Sequence, residues 1–259
     1  MLGWSINLFR IRGIQLTLHF SFLLLLAWSA VQGYDEAGLP GVFWSTALLI
    51  AFFTCVVLHE LGHSFTARRF GVGVRRILLM PIGGMAEFDS IPRQPSREFL
   101  ITVAGPAVNF AIAALLWVFV DTTRDTPTAD LPASVYDFGW ILLTWNIYMG
   151  LFNLVPVFPM DGGRILRAML ATRLTYLRAT FWAATIAKVL AAIGMIAGLW
   201  AGQYMLVILF AFIFFAGEAE YRALLRRERE DAYWRDVVAQ FQALHQPAPG
   251  QREPPLLEP

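Results

Sequence analysis

Two histidines and a glutamate within one short stretch have the types and spacing of a hydrolytic metal site. In His59-Glu60-Leu61-Gly62-His63 the two histidines are four residues apart, so on a helix both rings lie on one face. Two imidazoles at this spacing can bind one zinc ion, and the glutamate after the first can act as a general base on water. The motif therefore predicts a zinc hydrolase whose metal is bound by His59 and His63 and whose general base is Glu60.

A hydrolytic zinc site usually has three protein ligands and one open position, so a third ligand must be found. The candidates are the remaining histidines and the carboxylates near the same predicted membrane depth: His19, His245, Glu87, Asp89, Glu98 and Asp161. Asp161 is favoured because Pro156, Pro159 and a Gly-Gly pair surround it, which predicts an unwound segment at the end of an apolar run. A carboxylate at that depth needs a partner. The alternative is an aspartate that only caps a helix.

The composition places this site in a membrane protein. Of the 259 residues, 57% are hydrophobic and 15% are charged, and the mean hydropathy is +0.56. These values are typical of a polytopic membrane protein. A net charge of +1, with no basic run among aromatic residues, gives no reason to expect nucleic acid as a partner. The single cysteine, Cys55, excludes an intrachain disulfide and is expected to be a small buried side chain.

Six apolar segments predict six transmembrane helices: residues 14–31, 42–65, 99–120, 138–157, 179–200 and 204–217. The first could instead be a secretory signal, but it is long enough to be retained as a helix. Between the second and third segments, glycines and a proline interrupt two strand-like runs, residues 74–80 and 85–88. The predicted fold is an all-α polytopic membrane protein with a small membrane-associated β-sheet between helices 2 and 3. An edge strand of that sheet could pair with an extended substrate.

Basic residues predict the orientation. Eighteen of the 20 lysines and arginines fall on one side of the predicted spans, and only Arg124 falls on the other. By the positive-inside rule both termini are cytoplasmic, and the His-Glu motif lies near the cytoplasmic face. We expect three parts: residues 1–217 as the transmembrane domain, 218–245 as a charged cytoplasmic helix, and 246–259 as a disordered tail.

Two polar residues inside apolar segments have no assigned role. His19 falls early in the first segment, where a lone histidine is more often structural. Lys188 falls near the middle of the fifth segment, where it is either paired or marks a substrate or water path. Both alternatives stay open for Lys188.

Three motifs together resemble a known family. The His59–His63 motif, Gly105-Pro106-Ala-Val-Asn109 and Pro156-Val-Phe-Pro-Met-Asp161-Gly-Gly are similar, in order, to signatures of the site-2 protease family of intramembrane zinc metalloproteases. The resemblance implies one zinc ion held by His59, His63 and Asp161, with Glu60 as general base. It also implies that Asn109 and Asn153 hold the substrate.

The family resemblance carries further expectations. The substrate would be a membrane-anchored protein cut within or beside its transmembrane segment, in regulated intramembrane proteolysis. The protein would be integral to a bacterial or archaeal cell membrane, in contact with the lipid bilayer. The layout resembles the compact branch that lacks the PDZ and CBS domains of other members, so its regulation is not implied. A regulatory membrane protein or a second copy of the chain could supply it.

Two other classes of function compete with this interpretation. A metal transporter or metal sensor could use the same ligands, but a transporter would carry further histidines or carboxylates along several spans. A protease-like protein could bind membrane segments without cutting them. The presence of Glu60 beside all three expected ligands disfavours that alternative.

Overall fold

The computed structural model describes residues 4–89, 92–120, 132 and 134–244. In chain order the elements are β1 (Ser5–Ile11), β2 (Ile14–His19), α1 (Phe20–Arg69), β3 (Val74–Met80), β4 (Gly83–Phe88), α2 (Pro95–Phe119), α3 (Val135–Leu154), α4 (Asp161–Ala171), α5 (Tyr176–Trp200) and α6 (Tyr204–Leu244). His245, Arg124 and the predicted tail 246–259 lie outside the described residues. The predicted mostly helical fold with a small sheet is confirmed.

The sheet has four strands in the order β1-β2-β3-β4. Strands β2 and β3 are parallel, and the two outer pairs are antiparallel. The strand-like runs predicted at residues 74–80 and 85–88 are present as β3 and β4, between the second arm of the first long helix and the next helix. The sheet is larger than predicted, because β1 and β2, which precede the first helix, belong to it as well. Residues 14–19, predicted as helix, form β2 because Ile14, Leu16 and Leu18 alternate with polar residues and bury one face. Alternation with period two is a strand pattern.

Helix α1 is two antiparallel arms. Ala37 and Gly38 leave helical geometry, with Gly38 at φ +62°, and separate residues 20–36 from 39–69. Because the two arms fold back on each other, the centre of the Phe22 ring lies 4.6 Å from the centre of the Phe53 ring. The predicted first and second spans correspond to these arms, with the first helix starting at Phe20. His19 is its N-cap, and its Nδ1 accepts from the Ser21 backbone N–H at 3.2 Å, which explains this histidine structurally.

Among the described residues, four helices are long and apolar enough to cross a membrane: α1, α2, α5 and residues 204–242 of α6. Helix α6 is continuous through the predicted sixth span and on into the predicted charged helix. Lys188 of α5 donates to Glu218 of α6 at 2.8 Å, so this lysine is paired. The short helix α4 was not predicted, because two glycines follow its first residue.

Candidate metal centre

The second arm of α1 carries both histidines on one buried face. His59 and His63 are 3% and 6% exposed, and their Nε2 atoms lie 3.1 Å apart. The Oδ2 atom of Asp161 lies 3.3 Å from His59 Nε2 and 3.2 Å from His63 Nε2. The three residues expected to hold the metal thus converge on one point.

The other candidate carboxylates are paired with arginines elsewhere. Glu87 accepts from Arg76 at 2.7 Å, and Asp89 accepts from Arg75 at 2.6 Å. The hydrogen bond from Arg76 lowers the pKa of Glu87. Glu98 accepts from an arginine of α4 at 2.8 Å. Asp161 is therefore the one of the four that reaches the histidine pair.

The backbone around Asp161 places its carboxylate next to the two histidines. After α3 ends at Leu154, residues 155–160 are not helical, and α4 begins with Asp161 itself. Met160 is the N-cap residue, so Asp161 is not a helix cap. A Cβ on Gly163 would come within 2.7 Å of the Phe158 backbone nitrogen. A side chain at Gly163 would therefore push the start of α4 away from the preceding turn.

Hydrogen bonds on the far side of each ring fix the histidine protonation. His63 Nδ1 faces the Ile101 carbonyl at 2.8 Å, which can only accept. Asn146 Nδ2 donates to a backbone carbonyl at 2.8 Å, so its Oδ1 accepts from Asn109 Nδ2 at 3.0 Å. Asn109 therefore turns its Oδ1 to His59 Nδ1, 2.6 Å away. Both Nδ1 atoms donate, so in the neutral rings both Nε2 atoms carry lone pairs.

Three electron-pair donors then point at one another with no proton between the two rings. Such a group is repulsive unless a cation lies among the three atoms. Ligand atoms about 2.0–2.1 Å from a tetrahedral zinc ion are about 3.3 Å apart, close to the 3.1–3.3 Å separations found here. Asp161 Oδ2 is also buried without a hydrogen bond among the described residues. Spacing, protonation and donor types all fit zinc.

Gly105 of α2 makes room for the histidine pair. A Cβ on Gly105 would overlap His63 Nε2 and would lie 2.8 Å from His59 Cε1. Both atoms belong to buried rings that are held by hydrogen bonds on their opposite edges. The glycine of the Gly-Pro-x-x-Asn motif is therefore a steric requirement of the metal centre.

Gly105→Ala is expected to remove zinc binding, because the added methyl occupies the space of the His63 ring. The measurement is the zinc content of purified protein by elemental analysis. The control is Gly217→Ala, where the nearest atom to the new Cβ would be 3.6 Å away, an ordinary contact. Full zinc content in Gly105→Ala would contradict this account of the site.

Asn109 has a position that favours a role different from the one expected. Its side chain is fully buried and bonded to His59 and Asn146, and it is not among the residues that line the cavity beside the metal centre. Asn153 does line that cavity, and its Nδ2 donates to the Met149 carbonyl at 3.0 Å. We therefore propose that Asn109 orients His59, while Asn153 keeps its proposed contact with substrate. Asn146, a polar residue inside an apolar segment, was missed from the sequence.

Asn109→Ala and Asn153→Ala are expected to separate metal binding from substrate binding. Loss of an outer-shell hydrogen bond to a zinc ligand typically weakens metal affinity ~10–100-fold, so Asn109→Ala should bind zinc less tightly. Asn153→Ala should keep wild-type zinc affinity and cleave substrate more slowly. Zinc competition with a chelator and a cleavage assay give the two numbers. If Asn109→Ala instead kept wild-type zinc affinity and cleaved substrate more slowly, while Asn153→Ala bound zinc less tightly, Asn109 would be the residue that contacts substrate.

Glu60 lines a cavity of about 710 Å³ between α1, α3 and the β3–β4 turn. His59 shares this wall, and the remaining lining is mostly apolar or aromatic: Leu25, Leu49, Phe52, Phe53, Val56, Pro81, Ile82, Gly83, Gly84, Trp145, Tyr148, Met149, Phe152 and Asn153. A Cβ on Gly84 would lie 2.7 Å from Glu60 Cγ, so β4 passes directly against the glutamate. The cavity joins the metal centre, a carboxylate and a strand edge.

The buried His-His-Asp centre has a glutamate beside it and lies among helices long enough to cross a membrane. This is the arrangement of a membrane-embedded metallopeptidase. The comparisons with known proteins agree. The sequence profile of peptidase family M50 matches residues 47–135 and 125–197. The chain therefore belongs to peptidase family M50, the site-2 protease family, and the resemblance predicted from the three motifs is confirmed.

Individual relatives support the same assignment. The chain is 40% identical over 223 residues to zinc metalloprotease MJ0392 of Methanocaldococcus jannaschii, covering 86% of this chain and 62% of that protein. It is 34% identical over 239 residues to Rip3 of Mycobacterium tuberculosis, covering 83% and 58%. The chain thus spans about 60% of the length of these curated relatives.

A solved structure of the same family also matches the fold. The site-2 protease from Methanocaldococcus jannaschii superposes with a TM-score of 0.59 and 38% identity, over 84% of this chain and 95% of that one. Zinc appears in the names of the curated relatives, and the ligand atoms of His59, His63 and Asp161 lie within 4.8 Å of one another. The predicted zinc cofactor is confirmed.

Proposed function

We propose that the protein is an intramembrane zinc endopeptidase that hydrolyses peptide bonds in or next to transmembrane segments of membrane-anchored proteins. The observation that carries this proposal is the position of Glu60. Its side chain and that of His59 line one apolar cavity, while the Nε2 of His59 lies 3.3 Å from Asp161. A general base, a metal centre and space for an apolar chain are therefore adjacent.

The three metal ligands and Glu60 have different roles in hydrolysis. His59, His63 and Asp161 would hold zinc, which when bound supplies the Lewis acidity that makes water nucleophilic and polarises a carbonyl. Glu60 takes a proton from the attacking water as the new C–O bond forms. It then gives that proton to the leaving nitrogen as the C–N bond breaks. Water and peptide are consumed, and a carboxylic acid and an amine are produced.

The free edge of β4 offers a way to hold the substrate extended. β4 is the last strand of the sheet, so one side of its backbone has no strand partner among the described residues. A peptide in a helix has its carbonyls engaged in hydrogen bonds, and pairing with a strand edge would expose an unwound segment to attack. Gly84 of β4 lies against Glu60. We propose that substrate pairs with β4 there and crosses the cavity.

The proposed membrane arrangement has six crossings. The two arms of α1 account for two, and α2, α5 and the first half of α6 for three. The sixth is α3, a 20-residue helix that is not one of the four long apolar helices. The positive-inside pattern supports cytoplasmic termini and an active site near the cytoplasmic face. The sheet would lie on that side, because β2 ends where the first arm begins, and β3 follows the second arm.

A transporter or metal sensor is not favoured. Among the described residues, one group of three or more His, Cys, Asp or Glu side chains is close enough to share a metal. The carboxylate nearest the fifth predicted span's charged residue, Glu218, is paired with Lys188 at 2.8 Å, so it is engaged by an ammonium group. A transport path would need further ligands on the way across the membrane.

The proposal is tested by comparing membrane-protein fragments in cells that produce either the active protein or its Glu60→Gln variant. A fragment that appears only with the active protein, cut in or beside a transmembrane segment, identifies a substrate. Identical fragment sets at matched protein levels, in cells grown with zinc, would count against the proposed activity.

A further inference from the structure

A buried ion-pair cluster lies close to the metal ligands along the chain, and its four side chains are not among those that line the cavity at Glu60. Its centre is Arg167 of α4, which is 3% exposed and donates through Nε to Glu98 of α2 at 2.8 Å. Arg167 Nη1 donates to Glu220 of α6 at 2.8 Å, and Tyr176 of α5 donates to Glu98 at 3.3 Å. The four side chains of this cluster thus connect four helices: α2, α4, α5 and α6.

We infer that Arg167 is a positioning residue that fixes the metal ligand Asp161 against the helix that orients His63. The inference rests on the proposed function only in taking the His-His-Asp group as the working metal site. It adds a residue that touches neither metal nor substrate and acts through the placement of α4.

Both ends of the Arg167–Glu98 pair lie close to the metal ligands along the chain. Glu98 is three residues before Ile101, the carbonyl that accepts from His63 Nδ1 at 2.8 Å. Arg167 is six residues after Asp161 on the same 11-residue helix. The pair therefore links the turn of α2 that orients one ligand to the helix that carries another.

Helix α4 needs such a link. A helix of 11 residues is marginal by itself in water, and it follows a non-helical segment, so its rotation and height depend on what it packs against. The Arg167 guanidinium also lies 5.4 Å from the centre of the Phe158 ring, in the turn that leads to Asp161. Arg167 thus contacts both the turn that precedes α4, through Phe158, and the neighbouring helix α2, through Glu98.

A stability role alone explains this cluster poorly. Buried ion pairs are often no more stabilising than apolar side chains of similar volume, and their best-attested use is to fix one arrangement among several. Glu98 is 1% exposed, and its Oε2 has no hydrogen bond among the described residues. A buried carboxylate oxygen without a hydrogen bond lowers the stability of the fold. Its presence therefore fits a cluster whose main role is to fix the position of α4.

The fork of an arginine is required at this position. Nε and Nη2 both donate to Glu98 Oε1 while Nη1 donates to Glu220. A lysine keeps the charge but has a single nitrogen and cannot hold both carboxylates in the same planar arrangement. Arg167→Lys should therefore keep the net charge of the cluster yet loosen the hold on α4.

The test measures metal geometry separately from folding and cleavage. Full-length Arg167→Lys, Arg167→Met and Glu98→Gln are purified in detergent, and the monodisperse fraction is loaded with cobalt(II) in place of zinc. We expect a changed visible cobalt spectrum and zinc affinity lowered ~10–100-fold, the range typical of outer-shell residues. Arg178→Lys, at an exposed arginine of α5, is the matched control and should match wild type.

The outcomes are distinguishable. Folded Arg167→Lys with the wild-type cobalt spectrum and zinc affinity would overturn the inference, even if its thermal stability fell. If neither Arg167 variant folds, Glu98→Gln decides by the same two measurements. Wild-type protein that binds zinc yet cleaves nothing would instead refute the proposed function, and the cobalt spectra would still decide the role of Arg167.

Discussion

Glu60→Gln is expected to abolish cleavage while leaving zinc bound. Glutamine has nearly the shape of glutamate but cannot take a proton from water, and general-base catalysis typically contributes ~10²–10⁴-fold to a rate. Glu60 is not one of the three converging ligands, so the metal centre should be untouched. The measurements are zinc content and the rate of substrate hydrolysis for the same preparation.

Glu230→Gln is the matched control for this variant, since Glu230 is an exposed glutamate on the distal part of α6. It should retain both zinc and activity. Cleavage by Glu60→Gln at a rate close to wild type would remove Glu60 from the mechanism. Loss of zinc from Glu60→Gln would mean instead that Glu60 supports the metal centre itself.

Asp161→Ala is expected to lose both zinc and cleavage. The substitution leaves two imidazoles where hydrolytic zinc sites have three protein ligands. The fall in zinc affinity should exceed the ~10–100-fold loss typical of outer-shell residues, and should therefore be larger than in Asn109→Ala. Zinc affinity by chelator competition and zinc content after dialysis measure the effect.

Asp89→Asn separates this result from a general loss of acidic charge near the site. Asp89 was an equal candidate by residue type, but it accepts from Arg75 at 2.6 Å and is partly exposed. Asp89→Asn should keep wild-type zinc affinity. If Asp161→Ala kept zinc and Asp89→Asn lost it, the third ligand would be assigned wrongly.

The sequence was sufficient to predict that His59, His63 and Asp161 come together, because the signals of these three residues are local. His59 and His63 are one helical turn apart, and Asp161 follows a proline-rich break at the end of an apolar segment. Their convergence then required only that both segments end on the same side of the membrane. The distribution of arginines predicts that this side is the cytoplasmic one for both segments.

The sequence was not sufficient where rotation about a helix axis decides the role. Asn109 lies in a recognisable motif, but whether its amide faces substrate or His59 depends on how α2 is rotated against α1. The close approach at Gly62, where a Cβ would lie 2.7 Å from the Ala104 carbonyl oxygen, sets that rotation. Such a contact between distant segments has no signature in a single sequence.

Two further features were missed for different reasons. Strand β2 was hidden because its alternating pattern runs directly into the apolar first arm of α1, and the boundary at His19 is a cap, not a break. The pairing of Glu98 with Arg167 joins residues 69 positions apart, and nothing local connects them. The sequence therefore presents Glu98 only as a candidate metal ligand.

The most direct test of the central claim reconstitutes the purified protein in lipid vesicles with a reporter that has one transmembrane segment, and locates the cut by mass spectrometry. We predict a cut in or next to that segment that requires zinc, stops with a chelator and is absent with Glu60→Gln. Cleavage that survives zinc removal or the Glu60→Gln substitution, or that falls only in loops far from the membrane, would contradict the account.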